Sequence, residues 1–166
     1  MLAVMRKRAR VNLATCGEMA ASCACANLRK AARVTTQLYD ATLRPSGLRA
    51  TQFTLLVATR LSDTAPVTRL ANELGMDRTT LMRNLRLLER QALIRVRPGK
   101  DRRIREVVLT ERGHEALARA VPLWRRAQTR VAAALGGARL RRLQSDLTVT
   151  GALAHRRRHG GGAASE

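Results

Sequence analysis

The sequence predicts a mainly α fold with a small β-wing: a winged helix-turn-helix domain plus a helical dimerisation region. Three observations carry this. Residues 72–110 read as a short helix, a tight turn, a second helix and an arginine-laden hairpin. The second of those helices separates leucines from arginines. A long apolar stripe then follows the hairpin, with too little of a small winged domain left to cover it.

The second helix opens at Asp77, whose carboxylate suits the unsatisfied N–H groups and the positive end of a helix. Gly75 just before it fits the end of the preceding helix. At about 100° per residue, Leu81, Leu85, Leu88 and Ala92 fall on one face, and Thr79, Arg83, Arg86 and Arg90 on the opposite one. A base-reading helix presents its N-terminal residues to the major groove, where arginine bonds guanine and asparagine bonds adenine. Arg78, Thr79, Thr80, Arg83, Asn84 and Arg86 are the candidates. Taken alone, the helix reads more readily as an ordinary amphipathic one whose arginines are solvated.

The hairpin shifts that balance. Residues 94–97 and 104–109 are strand-like, rich in β-branched and apolar side chains. Between them, Pro98 and Gly99 begin a turn completed by Lys100, Asp101, Arg102 and Arg103. A hairpin so basic has no evident apolar purpose, but its tip can enter a minor groove, where a narrow A·T stretch attracts arginine. Asp101 is expected to orient Arg103 or a guanidinium of the recognition helix.

The helix, the wing tip KDRR and the LTERG that opens the next helix resemble the MarR family of winged helix-turn-helix regulators, over residues 23–147. The resemblance implies that Arg103, with Asp101 in a D-x-R wing motif, matches the minor-groove arginine, and that residues 78–84 match the base-contacting end of the recognition helix. It implies a homodimeric transcriptional regulator, most often a repressor, on a pseudo-palindromic operator. Many members release DNA when a small, often phenolic or anionic, effector binds. Arg49 departs from the pattern, standing where the family more often has a Thr or Ser cap.

Length and charge agree with this reading. The 166 residues suit one compact domain with an appended helical element, and a net charge of +20 points to a polyanionic partner. Tyr39, Phe53 and Trp124 are the only aromatic side chains, which leaves little for stacking single-stranded bases and favours double-stranded DNA. No stretch approaches the roughly 18 apolar residues of a membrane span, so no membrane partner is expected. Cys16, Cys23 and Cys25 are an odd, bunched set and not a disulfide framework, which implies a reducing cytoplasm, with the nucleoid as the site of action.

In chain order, residues 1–21 form a disordered extension without a signal-peptide core, and Met19 is an alternative start. Residues 22–48 hold a first dimerisation helix, ended by the breakers of residues 44–47. Residues 49–110 are the winged domain: a helix over 50–61 burying Phe53, Leu56 and Val57, then a loop, then a short helix from Pro66 that buries Val67, Leu70 and Ala71. Thr68 and Arg69 on its exposed side are candidate phosphate contacts. Residues 111–154 are dimerisation helices. Thr110 caps the first, whose stripe runs through Leu117, Val121, Trp124, Gln128, Val131 and Leu135 and is kinked at Pro122. After Gly136 and Gly137 the last helix carries Leu140, Leu143 and Leu147, and residues 155–166 are a disordered basic tail.

Catalytic chemistry has no foothold: no nucleophile–base pair, phosphate loop or paired carboxylates stand out among 12 acidic residues, and no cofactor is expected. On a continuous helix, Cys23 and Cys25 would lie about 200° apart and could not chelate one metal, so none is expected. Either thiol could instead sense oxidation, because some members of the family sense peroxides through a cysteine near the start of the first helix, where a thiol as a class ionises more readily. The tyrosines that accompany that cysteine are absent from residues 50–53, and the alternative is an incidental thiol. The rival from another class is a sequence-indifferent nucleic-acid packing protein acting through charge alone.

Overall fold

The computed structural model describes residues 10–62 and 64–159, with side chains described to residue 152. The chain divides into two compact units between Leu38 and Tyr39.

The first unit contains α1 (Leu13–Ser22) and most of α2 (Ala24–Leu43). Asn12 caps α1 by accepting from the Thr15 N–H at 2.8 Å. Cys23 is extended, and Asn27 bridges the break by donating to the carbonyls of Ala21 and Cys23, both at 3.1 Å. Where the sequence predicts disorder over residues 1–21, a capped helix occupies 13–22, because Asn12 supplies the acceptor that starts it. α1 has no buried residue.

The second unit holds a 3-10 turn (Arg44–Ser46), α3 (Ala50–Leu61), β1 (Ala65–Pro66), α4 (Val67–Glu73), α5 (Arg78–Arg90), β2 (Ile94–Pro98), β3 (Arg105–Leu109), α6 (Glu111–Leu135) and α7 (Gly137–His159). The sheet order is β1-β3-β2, both pairings antiparallel, with Val107 opposite Ala65 on one side and Val96 on the other. The third strand was not expected: Ala65 and Pro66 are too short a run to show a period, and only the fold brings them beside β3.

α3 starts without the usual hydroxyl cap. The Arg49 side chain has no acceptor, but the Asp40 carboxylate of α2 takes the Ala50 N–H at 2.7 Å and the Gln52 side-chain Oε1 takes the Arg49 N–H at 2.8 Å. Asp40 thus supplies from another helix what position 49 lacks.

Phe53, Leu55, Leu56, Leu70, Leu81, Leu85, Leu88, Ile94 and Val107 form the core, which also takes in Leu43 and Leu48 before residue 49 and Ala116 and Ala120 after residue 110. The hairpin therefore does have an apolar purpose at its base, since Ile94 and Val107 are both buried. α6 runs unbroken past Pro122, and its buried face is Gly113, Ala116, Ala120 and Ala127 and not the larger stripe. Small side chains let the helix axis approach the core closely. Leu117 and Trp124 reach that core from its flank, with Trp124 stacked on Phe53 at 6.2 Å between ring centroids.

Gly113 has no room for a side chain, because a Cβ would stand 2.0 Å from the Leu93 carbonyl oxygen. Its N–H donates to the Thr110 hydroxyl oxygen at 3.0 Å, and that hydroxyl donates to the Ala92 carbonyl at 2.6 Å. The LTERG segment thus locks the start of α6 onto the end of α5. Gly136, at φ 80°, ends α6. α7 continues to His159, past the boundary expected at 154; the rest of the expected tail, residues 160–166, lies outside the described residues.

Candidate nucleic-acid interface

The turn between α4 and α5 is set by backbone geometry. Gly75 takes φ 60°, and the N–H groups of Gly75 and Met76 donate to the Asn72 and Ala71 carbonyls at 3.1 and 2.9 Å, closing α4. Two residues later Asp77 opens α5, its carboxylate accepting from the Thr80 N–H at 2.8 Å. Hydrogen bonds from the Thr80 hydroxyl and then the Thr80 N–H hold the Asp77 carboxyl below its ordinary pKa. Leu81, Leu85 and Leu88 are fully buried and fix the rotation of the helix about its axis.

That rotation exposes Arg78, Thr79, Arg83, Arg86 and Arg90. Among the described residues, no ion pair engages Arg78, Arg83 or Arg86. Thr80 is half-buried in the cap, and Asn84, also half-buried, donates its amide to the Thr80 carbonyl at 2.9 Å. That bond uses one of the two amide hydrogens and leaves the other, with the side-chain oxygen, uncommitted. Ala92, expected on the apolar face of α5, lies beyond the end of the helix with φ 55° and is exposed.

The wing tip is held by its own backbone. The Gly99 N–H donates to the Ile104 carbonyl at 2.8 Å and the Ile104 N–H to the Asp101 carbonyl at 2.9 Å. The Asp101 carboxylate accepts from the Arg103 N–H at 2.9 Å. Asp101 therefore orients Arg103 through the main chain and not through its guanidinium, which stays available. Ile104, expected in the second strand, belongs to the tip and is exposed.

Thr68 of α4, Arg78 of α5 and Arg103 of the wing line one cleft of about 150 Å³, together with Val67, Ile104 and Arg105. The fold thus gathers three of the candidates from separate elements. Lys100 lies apart, lining a separate open hollow with Thr64, Arg97 and Glu106. Arg69 is partly neutralised by Glu73, at 2.7 Å. Asp101 and Arg102 are exposed on the tip, away from any ion pair among the described residues. Arg105 was missed by the sequence reading because only the β2–β3 register, which places it opposite Pro98, shows where it sits.

Residues 46–104 match the model of the MarR family. The structure is similar to the Mycobacterium tuberculosis transcriptional regulator MosR in complex with DNA, with 42% identity and a TM-score of 0.75, over 82% of this chain and 99% of that one. The chain belongs to the MarR family. This MarR-family protein is a DNA-binding transcriptional regulator and not an enzyme. The same fold recurs in the transcriptional repressor CouR bound to a 23-mer DNA duplex, at 24% identity and TM-score 0.72, covering 86% of this chain and 99% of that one. It recurs again in a mutant of Escherichia coli MarR complexed with operator DNA, at 19% identity and TM-score 0.72, covering 84% and 99%. No curated protein matches the sequence.

Two further expectations concern other parts of this MarR-family chain. Cys23 and Cys25 are exposed free thiols. Cys23 sits in the extended break between α1 and α2, so the helical separation argued from sequence does not apply to the pair. Among the described residues, no cluster of His, Cys, Asp or Glu could hold a metal ion, and no helix is long and apolar enough to cross a membrane.

Proposed function

We propose that the chain is a homodimeric repressor that grips a pseudo-palindromic operator with two recognition helices and two wings. The observation that carries this is the cleft shared by Thr68, Arg78 and Arg103, beside the unpaired, exposed Arg83 and Arg86. Thr79, Arg83 and Arg78 would read base edges, Asn84 would add its second amide hydrogen and its side-chain oxygen, Thr80 would follow from the first turn, and Arg103 would sense minor-groove width. Thr68, Arg69, Lys100 and Arg102 would bind phosphates. Much of the affinity would come from these cations, and it would fall steeply with salt. Such a protein would act in the cytoplasm, at the nucleoid.

The dimer is supported by apolar side chains that a lone copy leaves in water: Leu143, Leu147 and Val149 of α7 are 41%, 44% and 67% exposed. A two-fold axis would set the recognition helices about one DNA turn, roughly 34 Å, apart. Release by an anionic effector is supported by an open hollow of about 420 Å³ that Arg44 and Arg49 line with Asp40 and Leu48. A second reading, release by oxidation, is supported by the two exposed thiols at Cys23 and Cys25. A peroxide would take two electrons and two protons from the pair, leaving a disulfide and water.

Footprinting on genomic fragments around the gene at moderate salt tests the regulator reading. Protection of one or two turns of duplex is the expected result, and uniform protection would replace it with a packing protein. Arg103→Ala should weaken operator binding by about 1–3 kcal/mol, and an unchanged salt titration would remove the wing from the mechanism. Cys23→Ser with Cys25→Ser should abolish any peroxide response while leaving DNA binding intact; an equal response in both proteins ends the thiol reading.

A further inference from the structure

The last turn of α5 carries a carboxylate, Glu89, between Arg86 and Arg90 in a chain of net charge +20. An unpaired anion beside DNA would be repelled. Glu89 is engaged: its carboxylate accepts from the backbone N–H of Val96 at 2.9 Å. β2 is the edge of the sheet, and an antiparallel ladder turns the N–H of every second residue away from its partner strand. Val96 and Pro98 lie on that outward row; Pro98 has no N–H to satisfy, and Glu89 satisfies that of Val96.

The bond spans a gap. Met82, Leu85, Arg86, Glu89, Val96 and Arg105 surround a cleft of about 230 Å³ between α5 and the wing. Packing at the hairpin base, through Ile94 and Val107, fixes where the wing begins. Above that base Met82 and Val96 only partly cover the core edge and leave the cleft open between them, and among the described residues the Glu89 bond is the polar link across it.

We propose that Glu89 is a positioning residue for DNA recognition. Its bond to the Val96 N–H sets the wing against α5, and so the distance between Arg83 and Arg86 on the helix and Arg103 on the tip, without Glu89 itself touching DNA. This rests on the reading of α5 and the wing as the DNA-binding elements.

Glu89→Gln and Glu89→Ala separate positioning from charge, since Gln keeps an acceptor oxygen and loses the charge, whereas Ala loses both. Each variant is titrated, as the full chain, with a duplex that the wild type selects from random-sequence DNA and with a scrambled duplex. Amide exchange at Val96 is followed without DNA. Glu89→Ala should speed Val96 exchange about tenfold or more and lose about 5–10-fold of the preference for the selected duplex, while Glu89→Gln stays near wild type in both. Equal tightening of both variants on both duplexes would reduce Glu89 to a repulsive charge and overturn the proposal. Unchanged Val96 exchange in Glu89→Ala would overturn it as well. A wild type that selects no duplex would sink the underlying DNA reading, and the exchange arm would then still report on the bond itself.

Discussion

The winged domain and the helices at the two ends of the chain handle the same problem differently. In the winged domain the apolar face of each helix meets another element of the same chain: Leu81, Leu85 and Leu88 of α5 are wholly buried, and so are Leu55, Leu56 and Leu70 of its neighbours. In α1 nothing is buried, and in α7 the leucines at 143 and 147 remain more than a third exposed. The recognition helix is thus anchored within its own chain, by a core that also draws on Leu43, Leu48, Ala116 and Ala120. The end helices have apolar surface to spare, which is what a second copy of the chain would cover.

The comparison breaks most sharply at the leucines of α5. Leu85→Ala should lower the unfolding free energy by about 2–5 kcal/mol, because a fully buried leucine leaves a cavity. Chemical denaturation followed by circular dichroism measures it, and a loss within error of zero would mean that α5 is not anchored by its leucine face.

On the other side, Leu143→Lys combined with Leu147→Lys should leave thermal stability of the winged domain nearly unchanged but shift sedimentation from dimer to monomer. Operator affinity should fall by about 100-fold or more as the second half-site is lost. A dimer that persists would remove α7 from the interface.

A smaller effect sharpens the picture within the winged domain. Ala92 holds φ 55° at the α5–β2 junction, a left-handed conformation that costs an L residue about 1–2 kcal/mol. Ala92→Gly should therefore raise the midpoint of urea unfolding modestly, by about 0.5–1 kcal/mol in stability, the rest being lost to the freer unfolded chain. A lower midpoint would mean that the Ala92 side chain contributes packing the exposed position does not suggest.

The smallest effect is acid-dependent. The Asp77 carboxyl, held below its ordinary value of 3.8 by Thr80, stabilises α5 at pH values above that ordinary value. The contribution is lost as pH falls through the lower folded-state value, where the cap protonates. Asp77→Asn keeps a capping acceptor and cannot titrate, so its stability should fall less steeply than wild type below about pH 4. Parallel acid limbs would show that other carboxylates govern that transition.

Much of the site was legible because it depends on local periodicity and local chemistry. A 3.6-residue repeat placed Leu81, Leu85 and Leu88 inside and Thr79, Arg83 and Arg86 outside, and the cap at Asp77 needs only its own next three residues. What was misread depends on approach between distant segments. Ala116, Ala120 and Ala127 look like neutral helix formers, yet with Gly113 they are the buried face of α6, and at Gly113 the Leu93 carbonyl comes too close for any side chain. Asp40 gives no sign in sequence that it will cap α3, since the ten residues to Ala50 close only through the 3-10 turn that ends at Gly47.

By itself the sequence determined the order of elements from α4 to α7, the amphipathic division of α5, the wing-tip turn and the cationic character of the whole, since each follows from residue type and spacing along one segment. Only the tertiary structure decided that Thr68, Arg78 and Arg103 share a cleft, that Ala65 and Pro66 complete the sheet, and that Glu89 reaches Val96. Those are meetings of side chains and strands from different elements, and their distances are set by how the core packs, which no single stretch of chain encodes.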